Sequence, residues 1–209
     1  MMLYRTVLRE ATAEQIIQKS RFICHIRPVS TREEAEEFIA SIRKEHREAT
    51  HNVPAMIIGD KMQIQWSSDD SEPQGTAGAP VMKLLSSMEL TNVCVVITRY
   101  FGGIKLGTGG LARAYSSTAK LGLEEAGVGG AFEMSVINYS MDYSTYGRLQ
   151  KIQGGYFGLI GAEFGENVDV ELSCDAEREG ETLAFLKDLT GGKGKVLKIE
   201  KKILTKPET

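Results

Sequence analysis

Residues suited to holding an anion lie close together in the middle of the sequence. The turn Gly107-Thr108-Gly109-Gly110 opens a predicted helix, whose first amides have no partner within the helix. Those amides and the helix dipole attract negative charge, and glycines allow close approach of a ligand. Arg99 and Lys105 precede the turn, while Arg113 lies one helical turn beyond it. The alternative interpretation is a tight turn flanked by three solvated cations.

A cation in the first turn of a helix is unfavourable unless negative charge compensates it. The position of Arg113 therefore favours the anion site over the solvated turn. The residues predicted for this site are Arg99, Gly102, Gly103, Lys105, Gly107, Thr108, Gly109, Gly110 and Arg113.

An acidic loop, residues 67–75, supplies a second set of polar groups. Its predicted binding residues are Ser68, Asp69, Asp70, Glu72, Gly75 and Thr76. Carboxylates can hold Mg²⁺ together with substrate phosphates, but Asp69 and Asp70 point in opposite directions in an extended chain. A contact between these carboxylates and Arg99, Lys105 or Arg113 is the favoured alternative, and no metal or other cofactor is predicted.

Other reactive side chains give weaker signals. His51, Tyr100 and Phe101 are possible site residues, but no third ligand stands near His46 and His51 to complete a zinc site. The three cysteines are far apart, which argues against a disulfide framework. The known sequence patterns of serine hydrolases, zinc peptidases and phosphate-binding loops do not occur, so no catalytic residue is assigned.

The composition excludes some classes of protein. The chain has 209 residues, with 25 Lys and Arg against 28 Asp and Glu, so the formal net charge is 25 − 28 = −3. That balance disfavours a protein that coats nucleic acid nonspecifically, although it allows a local basic patch. No apolar run approaches the roughly 20 residues that span a bilayer, and the first residues do not resemble a signal peptide. We expect a cytoplasmic protein with no membrane partner.

The elements that must position these residues indicate an α+β first domain. A strand is predicted over 21–27, followed by a helix that Thr31 and Glu34 cap reciprocally. The buried face of that helix is predicted from the spacing of Ala35, Phe38, Ile39 and Ile42. Further strands are predicted at 51–58, 62–66 and 93–97, and further helices near 76–88 and 108–126.

A glycine cluster, residues 127–130, predicts the boundary between two domains, 1–130 and 131–209. Beyond it the patterns predict a strand at 132–138, a helix at 145–153, strands at 157–164 and 168–173, a helix at 176–189 and a strand at 195–204. This β-α-β-β-α-β order is typical of a ferredoxin-like plait.

Long motifs in the first domain resemble the IMPACT/YigZ family. They are Ser67-Ser68-Asp69-Asp70-Ser71-Glu72-Pro73-Gln74-Gly75-Thr76-Ala77-Gly78, Asn92-Val93, and Thr98-Arg99-Tyr100-Phe101-Gly102-Gly103-Ile104-Lys105-Leu106-Gly107. Lys19-Ser20-Arg21-Phe22-Ile23, His51-Asn52, Gly109-Gly110-Leu111 and Arg113-Ala114-Tyr115 match further blocks. The later part resembles the extra C-terminal domain of bacterial members.

The resemblance implies a fold for each domain. The first is expected to be similar to domain two of ribosomal small-subunit protein five, and the second to the C-terminal domain of elongation factor G. Eukaryotic members regulate translation through an additional N-terminal domain that has no counterpart in this sequence. The resemblance therefore transfers neither that mechanism nor a catalytic residue.

Three functions remain open from the sequence. The first is a noncatalytic binding protein that contacts RNA, the ribosome or a translation-associated protein through the glycine loop. The second is an enzyme, a hydrolase or a phosphate-handling protein, that acts on a small anionic substrate with a loop-bound metal. The third is a protein-interaction module with Tyr100-Phe101 as an exposed aromatic anchor.

Overall fold

The computed structural model describes residues 2–152 and 157–207. The chain folds as two compact units, one of residues 2–131 with 205–207 and one of residues 132–204. Both units combine helices with a β-sheet. Within the described ranges, no helix has the length and apolar character needed to cross a membrane.

The first unit is built on a five-stranded sheet covered on both faces. Its elements are β1 (Met2–Val7), β2 (Ala11–Ile17), β3 (Ser20–Pro28), α1 (Arg32–Glu45), β4 (His51–Ile58), β5 (Ile64–Ser67), α2 (Gly78–Ser87), β6 (Val93–Tyr100) and α3 (Gly107–Ala126). The sheet order is β2, β3, β6, β4, β5, and each neighbouring pair is antiparallel.

The central strand β6 explains the layers of this unit. Its residues 93–99 are all buried, as expected for a strand with helices on both faces. Cys94 and Val96 pack with α1, whereas Val95 and Ile97 face the cluster that α2 and α3 complete. The antiparallel register places His51 of β4 opposite Arg99 of β6. Two predicted site residues are thereby neighbours at one edge of the core.

Helix α1 confirms the predicted cap and buried face, with one difference. Thr31 Oγ1 accepts a hydrogen bond from Glu34 N at 3.2 Å. Glu34 Oε2 accepts from Ser30 N at 2.6 Å, so the returning bond reaches one residue beyond the cap. The buried residues of the helix are those predicted: Ala35, Phe38, Ile39 and Ile42.

The second unit has the predicted order of elements. They are β7 (Val128–Met141), α4 (Tyr143–Leu149), β8 (Phe157–Phe164), β9 (Val168–Asp175), a 3₁₀ turn (Ala176–Arg178), α5 (Glu179–Leu189) and β10 (Lys195–Pro207). Their strands lie in the order β10, β7, β9, β8. Buried residues alternate along β9, which leaves one face for the core and one for solvent. The predicted helix at 145–153 ends at Leu149, and position 153 is outside the described residues.

The glycine cluster differs from the prediction because Val128, Gly129 and Gly130 form the start of β7. A Cβ on Gly129 would overlap the carbonyl oxygen of Lys206 and the Cδ2 atom of Leu8. The glycine is needed because another part of the chain approaches it closely, and not because the backbone is irregular there. Strand β1 runs beside this segment, where Leu8 N donates to Gly127 O at 3.0 Å.

Two other sequence predictions of elements were incomplete. Strands β1 and β2 were not predicted, since neither has a long apolar run or a clear alternation. Strand β5 begins at Ile64 and not at 62, because Met62 has a positive φ of 56° in the preceding turn. Neither change moves a predicted site residue.

Candidate anion-binding site

A buried ion pair lies at the centre of the candidate site. Arg99 Nη1 donates to Glu72 Oε1 at 2.5 Å, and both side chains are almost fully buried. Tyr115, from α3, donates its hydroxyl to the same carboxylate oxygen at 2.7 Å. Burial, and next the negative charge of Glu72, raises the pKa of Tyr115 well above its usual range, so its hydroxyl stays a donor. The carboxylate is therefore compensated by one cation and one neutral donor.

Arg99 is also held by its other contacts. Its guanidinium lies over the rings of Phe22 and Phe101, with Cζ 5.3 and 5.4 Å from the two centroids. Nη2 donates to Ser20 Oγ at 3.4 Å. Nε is buried and has no hydrogen-bond partner in the part of the chain that the structure describes. One donor of this buried cation thus remains unmatched next to the site.

His51, the first residue of β4, has a defined ring orientation. Its Nδ1 lies 2.7 Å from the backbone oxygen of Asp70. A carbonyl oxygen can only accept, so Nδ1 must carry a proton. Nε2 lies 3.7 Å from Glu72 Oε1, too far for a hydrogen bond. When the ring is neutral, the lone pair is on Nε2, beside the buried ion pair.

The carboxylates of the acidic loop each have a different role. Asp69 accepts from the amides of Gly75, Ala77 and Gly78 at 2.7–3.0 Å and so caps the start of α2. Burial acts to raise the pKa of Asp69, but these three amide hydrogen bonds outweigh it, and the pKa lies below its usual value. The carboxylate is thus a structural cap.

Asp70 and Glu72 also have separate partners. Asp70 accepts from Asn52 N at 2.6 Å and from Arg43 Nη2 at 3.1 Å, while Glu72 binds Arg99. The predicted contact between a carboxylate of the acidic loop and Arg99, Lys105 or Arg113 is confirmed for Glu72 and Arg99. Within the described residues, no three His, Cys, Asp or Glu side chains are grouped as a metal site would require.

The start of α3 is an uncapped helix N-terminus. The helix begins at Gly107, and Leu106 at its N-cap position makes no capping hydrogen bond with its side chain. Its first turn contains no acidic residue. Lys105 is exposed immediately before it, and among the described residues it has no ion-pair partner. The first amides therefore face outward, and no acidic side chain of the described residues accepts a hydrogen bond from them.

A cavity of about 420 Å³ connects these features. Its lining includes His51, Glu72, Arg99, Phe101, Lys105, Gly107 and Thr108. The side chain of Phe101 is accessible at the rim, with 47% of its surface exposed. The cavity thus has a buried ion pair on one side and an uncapped helix N-terminus with a lysine on another. This arrangement can hold a small anionic group that also makes apolar contact.

The comparison with known protein families identifies this domain. Residues 18–123 match the family model of the Impact N-terminal domain, a little over half of the chain. The protein belongs to the IMPACT family. The resemblance seen in the sequence motifs is thereby confirmed.

Relatives cover both units of this IMPACT-family chain. It is 41% identical over 194 residues to "IMPACT family member YvyE" of Bacillus subtilis, covering 92% of this chain and 89% of the relative. It is 31% identical over 192 residues to "IMPACT family member YigZ" of Escherichia coli, covering 90% and 94%. A crystal structure described only as that of a hypothetical protein aligns with a TM-score of 0.59 and 29% identity, covering 94% of this chain and 97% of that one.

The IMPACT domain does not bring every predicted residue into the cavity. Arg113 lies in a different surface groove together with Gly75. Gly102 supports the site from outside, because its amide donates to Ser20 Oγ at 3.2 Å. Ser68 Oγ accepts a hydrogen bond from Asp70 N, and Thr76 Oγ1 donates one to Pro73 O, so both hold the acidic loop in shape. Tyr100 instead contacts His46, with its hydroxyl 3.0 Å from Nδ1.

Besides apolar residues of the lining, sequence reasoning missed three residues with polar contacts at the site. Tyr115 contacts Glu72, Thr50 lines the cavity, and Ser20 contacts Arg99 and Gly102. Tyr115 follows Leu111 by one helical turn, so its position on the buried face of α3 was visible. A buried tyrosine hydroxyl needs a partner, and that requirement was the available signal. Nothing local in the sequence marks Ser20 or Thr50.

Proposed function

We propose that this IMPACT-family protein is a noncatalytic binding protein of the translation machinery, and that it binds RNA or the ribosome through a phosphate held at the start of α3. The observation that carries this proposal is the uncapped N-terminus of a 20-residue helix that lines a cavity beside Lys105. A phosphate there would accept from the first amides of the helix and lie next to a cation. The unmatched Nε of Arg99 adds positive character to the same region.

The family supports a role in translation. The sequence motifs imply a first domain, 1–130, similar to domain two of ribosomal small-subunit protein five. They imply a second domain, 131–209, similar to the C-terminal domain of elongation factor G. Both of those relatives handle RNA or the ribosome, and the proposed activity would therefore be cytoplasmic. Fold likeness alone does not assign a function, so the proposal depends on the geometry at α3.

Lys105, and not Arg99, is the residue whose substitution tests the proposal. Arg99 is committed to Glu72, and its removal would leave a buried carboxylate without its cation. A loss of binding after such a change would not distinguish unfolding of the protein from loss of a contact with the phosphate. Lys105 is exposed and has no ion pair among the described residues, so its substitution removes one charge without disturbing the core.

The experiment is cosedimentation of the full chain with ribosomes over a range of salt concentrations. Each phosphate contact contributes a slope of roughly −0.7 to −0.9 to the logarithm of affinity against the logarithm of salt concentration. We expect Lys105→Ala to bind more weakly and to reduce the slope by about that amount. The matched control is Lys61→Ala, since Lys61 lies in the turn after β4, roughly 25 Å along that strand from His51. Equal cosedimentation of the wild type and Lys105→Ala would contradict the proposal.

A second candidate function, docking of a protein partner on Phe101, has its own supporting observation. Phe101 is 47% exposed and Ile104, in the same loop, is 40% exposed. Exposed aromatic side chains often supply most of the binding energy of a protein interface. Under this candidate, Phe101→Ala weakens binding to a partner protein with little dependence on salt. Recovery of the same partner proteins by the wild type and by Phe101→Ala would exclude this candidate.

A further inference from the structure

A basic groove between α2 and α3 forms a second surface feature, separate from the cavity. Its volume is about 860 Å³. One wall comes from positions 79, 83 and 87 of α2, and the other from positions 112, 116 and 120 of α3. Residues four apart lie on the same face of a helix, so each wall is a continuous ridge about 12 Å long. The side chains at 79, 87, 112 and 116 are alanine or serine, which leaves the groove open.

The groove concentrates positive charge on an acidic chain. Lys83, Arg113 and Lys120 line it and are exposed, whereas none of its lining residues is Asp or Glu. Lys83 and Arg113 have no ion pair within the described residues. Lys120 lies 3.9 Å from Glu124 in an exposed pair, a contact that contributes little. The chain as a whole carries a formal charge of −3, so the groove is a local exception.

The floor of the groove distinguishes between anionic partners. It is apolar and only half-buried, with Pro80 and Leu84 in the lining. None of the lining residues is aromatic, so the groove offers no platform on which bases could stack. A phosphate backbone would pair with the cations but would leave the apolar floor exposed to solvent. A peptide with both acidic and apolar side chains would use both.

We propose that this groove binds an acidic amphipathic helix of a partner protein. Apolar side chains at i, i+4 and i+7 of such a helix span about 10 Å, which matches the length of the two walls. Its acidic side chains would then flank the groove opposite Lys83, Arg113 and Lys120. The inference goes beyond the proposed function, because it assigns a protein partner to a surface that the cavity does not share.

The test uses a fluorescently labelled synthetic peptide of about 18 residues, roughly 27 Å long as a helix, with Leu at the apolar positions and Glu elsewhere. Fluorescence anisotropy with the full chain should show saturable binding. We expect Lys83→Glu/Lys120→Glu to weaken it by about tenfold or more, since like charges then face each other. The control variant Lys44→Glu/Lys61→Glu carries the same change in net charge outside the groove and should bind normally. Lys105→Ala should also bind normally.

A charge-neutral variant tests the apolar floor. Ser116→Leu fills the groove from α3 and places a good helix former on a helix, so the fold should be retained. Peptide binding should fall by about tenfold while cosedimentation with ribosomes is unchanged. A scrambled peptide of the same composition, without the helical period, should bind weakly.

Three results would overturn the inference. One is no binding of the acidic peptide to the wild type, and another is equal binding to the wild type and Lys83→Glu/Lys120→Glu. The third is evidence that the groove binds single-stranded RNA. In that case Lys83→Glu/Lys120→Glu would lose binding to oligouridylate, and Ser116→Leu would leave peptide binding intact. Because Lys105→Ala reports only on the start of α3, failure of the groove and failure of the proposed function give different results.

Discussion

Arg99 and Glu72 form an ion pair from which solvent is almost excluded, 2.5 Å apart between Nη1 and Oε1. The two residues come from different elements, the end of β6 and the acidic loop. The pair fixes that loop against the sheet, and with it the wall of the cavity. An ion pair that stabilises the fold thus lies in the same cavity as Lys105, whose charge is open to a ligand.

Removing one member of this pair should destabilise the protein strongly. Arg99→Met leaves the Glu72 carboxylate buried, with Tyr115 as its one donor among the described side chains, at a cost of about 3–5 kcal/mol. Urea unfolding measures this loss. The double variant Arg99→Met/Glu72→Met should recover much of the stability, because no unpaired charge remains. Additive losses in the double variant would mean that the two residues do not act as a pair.

The tyrosine of the site should have a smaller effect that is also measurable. Tyr115→Phe keeps the edge-to-face contact with Phe22 but removes the hydroxyl that donates to Glu72. Hydrogen bonds to charged groups contribute about 1.5–3 kcal/mol, so thermal unfolding should occur several degrees lower. Tyr143→Phe is the comparison, since its exposed hydroxyl donates to the carbonyl of Gly165. A larger loss in that variant would contradict the role given to Tyr115.

Asp69 should act as the cap of α2. Asp69→Ala removes the acceptor of three backbone amides and should lower the free energy of unfolding by about 1–2 kcal/mol. Because its folded pKa is lowered, this contribution is present above the unfolded pKa of 3.8 and is lost as pH falls through the folded value. Urea titrations at neutral and acid pH test both statements. Asp60→Ala, which removes only a long hydrogen bond of 3.5 Å from Asn92 Nδ2, should change stability little.

His25 should make the protein less stable in mild acid. Burial, and next the charge of His46, lowers its pKa to about 4 from 6.5, although Glu45 and Glu10 oppose this. Between these values the unfolded chain binds a proton that the folded chain does not, so stability falls as pH decreases from 6.5 towards 4. The limiting slope for one proton is about 1.4 kcal/mol per pH unit.

The variant His25→Phe tests this assignment. It keeps a ring in place and removes the titrating group, so the dependence of the urea midpoint on pH over this interval should become shallower. The buried Nε2 of His25 has no hydrogen-bond partner in the described chain, so its removal leaves no new polar group unmatched on that side. An unchanged pH profile in the variant would assign the effect to other groups.

Gly102 should tolerate no side chain, in contrast to its neighbour. A Cβ at this position would overlap the carbonyl group of Lys19, so Gly102→Ala must displace backbone. Gly103 has a φ of 83° and open space around it, so Gly103→Ala meets only conformational strain of about 1–2 kcal/mol. Thermal unfolding of the two variants compares the effects. Equal losses would contradict the close approach at Gly102.

The parts of the structure that were visible in the sequence are those with local signals. Helix α1 has its cap three residues from the amide that it accepts from, and its buried residues follow one period. The cap of α2 is different, because Asp69 lies nine residues before Gly78 and is brought there by the fold of the loop. The possible metal role for Asp69 came from composition, and only the folded loop shows which amides its carboxylate meets.

The same distinction applies to glycines and to the ion pair. The cluster at 127–130 suggested irregular chain. Position 129 instead requires a glycine because the backbone of Lys206, far along the sequence, packs against it. Arg99 was one of three cations considered as partners of the acidic loop, and the folded loop brings Glu72 to it. Long-range packing decides these cases, and a single sequence carries no direct record of it.

The hydrogen bond between His51 Nδ1 and the carbonyl of Asp70 makes that ring a natural spectroscopic reporter. A single tautomer gives distinct nitrogen resonances for its two ring atoms, and only Nε2 is available to respond to a ligand in the cavity. Binding of an anion or of a donor group in the cavity would therefore shift the Nε2 resonance, relative to the empty cavity, and leave the Nδ1 resonance nearly constant. The imidazole can identify the kind of atom bound beside it without any label added to the protein surface.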